Sequence, residues 1–361
     1  MPRYRVPFFH RLVDTLADSG TECVVVAGEQ REWAAMRGHP QVDADWLRTV
    51  PDPRDVSFGS TGPRLYGYGT ALHWRDCDAL IMPHRGTDID VNLELIKKRF
   101  TGRRIGVWGH LSRSVKKPNP FDLAVERWQM RRADHIFAYT QAGADMAVLG
   151  GIPAEKVTAV MNSVDVREVI DVSLKLTDET IENLLERYTL VPGRIFGYIG
   201  GLDVAKRVDF ISDVLDRLWV IDKDVKFIFA GRGNQQDLLT SAVTRGQAIL
   251  LGYGGPVEKA VVTRISQALI NPGRIGLVAI ECLATGIPIL TTDWDFHAPE
   301  YDYLTPGRDV YSSSNDVDAF ARLILGKISD QRMLPKHCSK PYPTIDDMVD
   351  NFASGVQEML R

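Results

Sequence analysis

The sequence predicts an α/β protein of two doubly wound domains, each a parallel sheet covered by helices on both faces. Three observations predict it. Short β-branched runs alternate with amphipathic helical stretches along most of the chain. The length, 361 residues, favours two domains over one. A charged, helix-prone segment without strand pattern, ending in "VPGR", splits the alternation into halves of similar size.

In the first half, strands are expected at 22–27, 64–68, 79–82, 104–108, 135–139 and 157–161. Helices fall between them at 8–18, 88–99, 121–133 and 141–150. In the second half the strand runs are 194–199, 225–230, 248–251, 268–270, 287–291 and 309–311. The domains are then 1–165 and 194–344, joined by a linker at 166–193. A last helix, within 345–361, is expected to return to the first domain. Two such sheets would face one another across a cleft, with ligands at the carboxyl ends of strands. A doubly wound domain normally begins on a strand, whereas this chain opens on "PRYRVPFF" and a helix. A very short first strand, or a start downstream of the biological one, would account for this.

Composition narrows the class. Hydrophobic residues make up 44% and charged residues 25%, as in a soluble globular protein. The net charge of −4 gives no reason to expect nucleic acid. No apolar run approaches the ~20 residues that span a bilayer, and the start lacks a secretory apolar stretch. Cys23, Cys77, Cys282 and Cys338 show no paired spacing, so buried, reduced thiols in a cytoplasmic protein are expected, without zinc. One segment, 97–132, holds eleven basic residues against Asp122 and Glu126, a local charge of +9. It reads either as solvated helix faces or as a surface for anionic lipid or a phosphorylated acceptor, peripheral on the inner membrane face.

The chemistry concentrates in three loops of the second half, each between a strand and a helix. A helix start offers unpaired N–H groups and a favourable dipole to an anion. "YIGGLDVAKR" turns at Gly200 and Gly201 and returns charge through Lys206 and Arg207. "FIFAGRGN" flanks Arg232 with glycines. "NPGRIGLVAIECLATGIPIL" places Gly273 and Gly276 before an apolar helix that contains one acid, Glu281. A phosphorylated ligand, most plausibly a nucleotide, fits this set. Neither G-x-x-x-x-G-K-[ST] nor a G-x-G-x-x-G after the first strand of either half is present, which disfavours P-loop ATPases and dinucleotide dehydrogenases. Glu281 is either a solvent-facing helix acid or a ligand-binding group; its apolar neighbours favour the second, since a buried unpaired carboxylate is costly.

The ordered set "GYIGGLDVAKRVDF", "FIFAGRG", "ILLGY", "INPGRIGLVAIECLATGIPILTTD" and "HAPEYDYLTPGRDV" resembles the donor half of retaining glycosyltransferases of family 4. The first half resembles them more loosely, through "YRVPFF", "RIGVWGH" and the stretch from "ADHIFAY" to "MNSVD". The resemblance implies the type-B fold of two Rossmann-like domains and a nucleotide-diphosphate sugar as donor. It implies that Ile275, Gly276 and Leu277 offer amides to the diphosphate, that Glu281 binds the ribose hydroxyls, and that Lys206 neutralises the phosphate. His110, after "WG", is implied as a histidine near the donor sugar; a capping or core role is the alternative. His297, Glu300 and His84 are further cleft candidates, Glu300 reading equally as a first-turn helix acid. Two departures stand out. The first glutamate of the family's E-x7-E motif is replaced by Gly273, and its usual phosphate-binding arginine by Gly201, so Arg207 or Arg232 would supply the second charge. No obligatory metal or other cofactor is expected. The acceptor is a saccharide, lipid-linked or soluble. A non-catalytic sugar-nucleotide binder and a type-B epimerase are the alternatives from other classes.

Overall fold

The computed structural model describes residues 1–29, 42–51, 54–57, 64–67, 74–111, 119–328 and 341–361. They divide into two compact units. One comprises the described residues up to Val164 together with Pro343–Arg361; the described residues of Asp165–Tyr342 belong to the other.

In the first unit β1 (Val25–Gly28) and β2 (Leu47–Val50) pair in parallel. β3 (Arg54–Ser57) and β4 (Arg64–Gly67) form an antiparallel ribbon. A four-stranded parallel sheet follows in chain order: β5 (Ala79–Pro83), β6 (Arg104–Gly109), β7 (His135–Ala138) and β8 (Val157–Ala159). The strand expected at 64–68 thus sits outside the parallel sheet. β2 and β3, "LRTV" and "RDVS", escape a hydrophobic-pattern reading because charged and small polar residues dilute them.

The helices of this unit are capped as their sequences suggest. Asp88 accepts from the amides of Asp90 (3.1 Å) and Val91 (3.3 Å) at the start of Ile89–Thr101, and Gly102 ends that helix at φ 66°. Thr344 and Asp347 form a capping box on Ile345–Leu360. That last helix lies beside Val6–Asp18 in one core, where Phe8, Leu12 and Leu16 meet Met348 and Phe352. Phe352 stacks on Phe137 of β7 with centroids 4.6 Å apart. Each such buried side chain contributes roughly 1.5–3 kcal/mol.

The second unit is a six-stranded, wholly parallel sheet: β9 (Ile195–Ile199), β10 (Lys226–Ala230), β11 (Ala248–Gly252), β12 (Leu269–Ile270), β13 (Ile289–Thr292) and β14 (Val310–Ser313). The spatial order is β11-β10-β9-β12-β13-β14, so the direction of winding reverses between β9 and β12. β9 and β13 are buried at every position, as expected of a sheet covered on both faces. The segment expected as a linker forms two helices, Arg167–Lys175 and Asp178–Arg187. Both belong to the second unit, with Ile181 fully buried in its core.

Among the described residues no helix is long and apolar enough to cross a membrane. The cysteines differ from expectation in one respect. Cys282 is buried and Cys23 half-buried, but Cys77 is exposed, just past a turn, and Cys338 lies outside the described residues.

Candidate functional site

Open α/β sheets bind ligands where winding reverses, at the carboxyl ends of the two diverging strands. In the second unit those strands are β9 and β12, and the loops that follow them hold Gly200–Arg207 and Asn271–Leu277. The two loops are tied together. The Arg274 amide donates to the Ala205 carbonyl at 2.9 Å, and Lys206 Nζ donates to the Arg274 carbonyl. Gly200 and Gly201 belong to the same frame: Gly200 N donates to Ala230 O (3.1 Å), and the Gly201 carbonyl accepts from Tyr198 Oη (2.7 Å).

Gly273 sits directly against the neighbouring loop. A Cβ there would lie 2.6 Å from the Lys206 carbonyl carbon and 2.7 Å from Ala205 O. No side chain fits without moving backbone. A glutamate at this position is therefore excluded by the approach of the neighbouring loop. The glycines of "FIFAGRGN" have a related role, since a Cβ on Gly231 would run into the Gly200 carbonyl and one on Gly233 into that of Leu202.

The start of the helix Val278–Thr285 carries the open donors. The amides of Gly276 and Leu277 donate no hydrogen bond among the described residues. Ile275 differs from expectation: its amide donates to Nδ1 of His297 at 3.1 Å, and its carbonyl accepts from Ala298 N at 2.8 Å. His297 is buried and stacks on Tyr301, with ring planes 1° apart and centroids 4.2 Å apart. An acceptor at Nδ1 places the imidazole proton on Nε2. Glu300 is buried in the turn Pro299–Tyr303, and a Cβ on Gly276 would lie 3.7 Å from its Oε2. Burial and the carboxylates of Glu300 and Asp302 push the Tyr303 phenol well up.

Glu281 is 5% exposed, as its apolar surroundings suggest, but it is not unpaired. Lys259, on the helix Pro256–Ile265, donates to its Oε1. Burial presses the Lys259 ammonium toward neutrality; the charge and hydrogen bond of Glu281 outweigh it, and the net shift is upward. Oε2 of Glu281 makes no hydrogen bond among the described residues and is not sealed from solvent. Lys259 is twenty-two residues away in sequence, so no local pattern announces it.

The two candidate arginines differ. Arg207 has left-handed backbone (φ 56°) and donates to Pro272 O (3.2 Å) and Thr292 Oγ1 (3.3 Å), while packing over Phe210 and Trp294. Burial lowers its pKa, and it braces the loop rather than presenting an open charge. Arg232 is exposed, beside Gly252, and has no ion pair among the described residues. No group of three metal-ligating side chains occurs among the described residues.

In the first unit His84 follows β5 and His110 follows β6, on adjacent strands. His84 Nε2 lies 3.1 Å from the Glu126 carbonyl. His110 packs edge-on against Tyr139 at 4.6 Å. The basic stretch at 97–132 is partly neutralised from just outside the count: Lys97 and Arg103 pair with Glu94, and Lys98 and Arg104 with Asp134. Arg113, Lys116 and Lys117 lie outside the described residues.

Residues 193–330 match the family described as "Glycosyl transferases group 1". No curated protein matches the chain in sequence. Among solved structures, a glycosyltransferase from Rickettsia africae ESF-5 is similar with a TM-score of 0.59 at 12% identity, over 100% of this chain and 97% of that one. HepE from Anabaena, in complex with UDP and glucose, gives 0.59 at 14% identity over 86% of each chain. The lipopolysaccharide outer core galactosyltransferase WaaB gives 0.55 at 16% identity, over 97% of this chain and 94% of that one. Identities this low establish the fold, and the family match supplies the activity class of the second unit. The chain therefore has the type-B fold of two Rossmann-like domains and, through its group 1 domain, is a glycosyltransferase.

Proposed function

We propose that the protein is a retaining, metal-independent glycosyltransferase that moves a sugar from a nucleotide-diphosphate donor to a saccharide acceptor at a membrane face. One observation carries the donor side. Open amides at Gly276 and Leu277, the open oxygen of Glu281 and the ammonium of Lys206 all belong to the loop–helix pair at the switch point. Breaking a sugar–phosphate bond builds negative charge on the leaving diphosphate. Preorganised amides and a lysine aimed there stabilise it, each typically worth ~3 kcal/mol. Glu281 Oε2 would accept from ribose hydroxyls, with Lys259 holding the other oxygen. HepE was crystallised with UDP, which puts uridine nucleotides first among donors to try.

In the front-face course that the family resemblance implies, the departing phosphate takes the acceptor proton and no carboxylate nucleophile is required. Lys206 then acts on the leaving group, and His110 orients the sugar or assists the acceptor. A thermal-shift screen of nucleoside diphosphates and their sugars tests the reading, since a ligand at 100-fold its Kd adds about 2.7 kcal/mol of stability. Glu281→Ala should abolish the shift; an unchanged shift in that variant overturns the donor-site assignment. Transfer or hydrolysis of the donor excludes a non-catalytic binder, and epimerised donor appearing without acceptor would point to the epimerase.

The membrane part rests on the helix Ile89–Thr101. Leu93, Ile96 and Phe100 are 43%, 58% and 85% exposed at helical spacing, beside Lys97 and Arg99. An apolar stripe flanked by cations suits an anionic bilayer surface. Co-sedimentation with phosphatidylserine vesicles at low salt should capture the protein, and Phe100→Ser should weaken it. No binding to such vesicles would leave a soluble acceptor as the reading.

A further inference from the structure

The first unit holds a buried cation that the donor chemistry leaves without a role. Arg5, at the end of the short turn Arg3–Arg5, is only 9% exposed. Its Nη1 donates to Asn162 Oδ1 at 2.8 Å and lies 3.8 Å from Met348 Sδ. The guanidinium carbon is 5.4 Å from the ring centres of Tyr4 and Trp108 and 5.9 Å from that of Tyr139. Among the described residues no carboxylate pairs with it. Nε and Nη2 make no hydrogen bond there, and neither is sealed from solvent. One edge of the guanidinium thus opens outward from a side chain that is otherwise enclosed.

Enclosing a cation without a counter-charge is unfavourable. Aromatic faces offset part of that cost. They leave the N–H edge without acceptors, and that edge is the part of arginine that takes carboxylate or phosphate oxygens in pairs. The location is that of a ligand site. Trp108 is the penultimate residue of β6, Tyr139 follows β7 and Asn162 lies beyond β8, so the corner lies at the carboxyl ends of three neighbouring parallel strands. Asn162 is delivered there by Met161, whose φ of 55° is a conformation methionine rarely adopts. His110 packs on the same Tyr139 that walls Arg5.

We propose that Arg5 heads an oxyanion subsite, and that the saccharide acceptor is acidic. Its carboxylate or phosphoryl group pairs with the Nε/Nη2 edge while sugar faces lie against Tyr4, Trp108 or Tyr139. The word acceptor rests on the transferase reading; the subsite itself does not.

Side-chain NMR of the full chain tests it, with the Arg5 Nε–H signal assigned by its loss in Arg5→Lys. The probes are methyl β-glucuronide, glucose 6-phosphate and, as the neutral match, methyl β-glucoside. At least one acidic probe should shift the Arg5 signal saturably and the neutral one should not; which acid acts identifies the carboxylate or the phosphoryl source. Read in the variants from the probe's own ligand-observed NMR signals, Arg5→Met should weaken binding of that probe about tenfold, the loss expected for a charge-assisted pair. The thermal shift from nucleoside diphosphates should be unchanged in that variant. If Arg5→Met fails to fold, Arg5→Lys, which keeps the charge without the planar fork, should show a smaller loss of the same probe. Equal response to acidic and neutral sugars, no response to either acid, or undiminished binding in the folded variants overturns the proposal. Absence of any nucleoside-diphosphate shift in the wild type would instead sink the donor reading.

Discussion

The two sheet edges that carry the candidate chemistry are built on opposite plans. At the second unit's edge nearly every charged group is already held: Lys206 by the Arg274 carbonyl, Arg207 by Pro272 and Thr292, Glu281 by Lys259. The loops there are fixed to each other by backbone contacts, and the open donors are amides at a helix start. At the first unit's edge the groups are aromatic rings, histidines and one enclosed arginine with an open edge. The first plan suits a ligand of invariant shape and charge such as a diphosphate, because preorganised dipoles need no rearrangement when charge develops. The second suits a partner whose own charge completes the site. On the proposed function, the contrast means that specificity for the donor is distributed over a frame, whereas specificity for the acceptor is concentrated in a few side chains.

If the donor frame is a coupled unit, Glu281→Ala should do the most damage. It leaves Lys259 enclosed without its counter-charge, so stability should fall by about 3 kcal/mol in urea unfolding, with nucleoside-diphosphate binding lost. Replacing both partners, as Lys259→Met with Glu281→Leu, should recover much of the stability and none of the binding. A single Glu281→Ala cost below ~1 kcal/mol would show the pair to be incidental.

Gly273→Ala comes next. Its methyl meets backbone rather than a movable side chain, so a loss of about 2 kcal/mol and a weaker diphosphate response are expected. Gly273→Glu should be worse still, and gain of donor affinity in that variant would mean that the loop yields more readily than its contacts indicate.

A smaller effect should separate chemistry from bulk at His297. His297→Leu removes the acceptor for the Ile275 amide and should cost about 1 kcal/mol, seen both in melting temperature and in donor affinity. His297→Asn, which puts an oxygen near the place of Nδ1, should recover most of it, and His297→Gln should not. Indistinguishable Asn and Gln variants would reduce His297 to a filler of space.

The smallest expected effect is a pH dependence. The Lys259 pKa is raised by Glu281, so the pair's stabilisation is fully present below the unfolded lysine value of about 10.4 and is lost as pH rises through the higher folded value. Urea unfolding from pH 9 to 11.5 should show wild type keeping this increment at pH 10, with its advantage over Lys259→Met shrinking only at the alkaline end.

Much of the fold was legible in the residues. All twelve expected strand positions hold strands, eleven of them in parallel pairings whose apolar runs local pattern reveals, while Arg64–Gly67 pairs antiparallel. The helix Ile345–Leu360 was legible from its amphipathic period, and the loops between strand and helix from their glycines. β2 and β3 were not, since their pairing comes from neighbours rather than from their own composition. Glu281 stood out because an acid among apolar residues is costly, yet its partner Lys259 is an ordinary helix lysine in sequence. Arg5 was one basic residue among several at the start of the chain.

The sequence by itself determined the alternation of strands and helices, the two-domain architecture, the glycine loops between strands and helices of the second half, and the absence of an acid at position 273. Those are local properties, set by periodicity, turn chemistry and the cost of burying charge. Only the tertiary structure decided that Gly273 must be glycine, that the Ile275 amide belongs to His297, that Glu281 arrives already paired, and that Arg5 is enclosed with an open edge. Each of these depends on the separation between groups far apart in the chain, and a sequence carries no distances until packing brings those groups within reach.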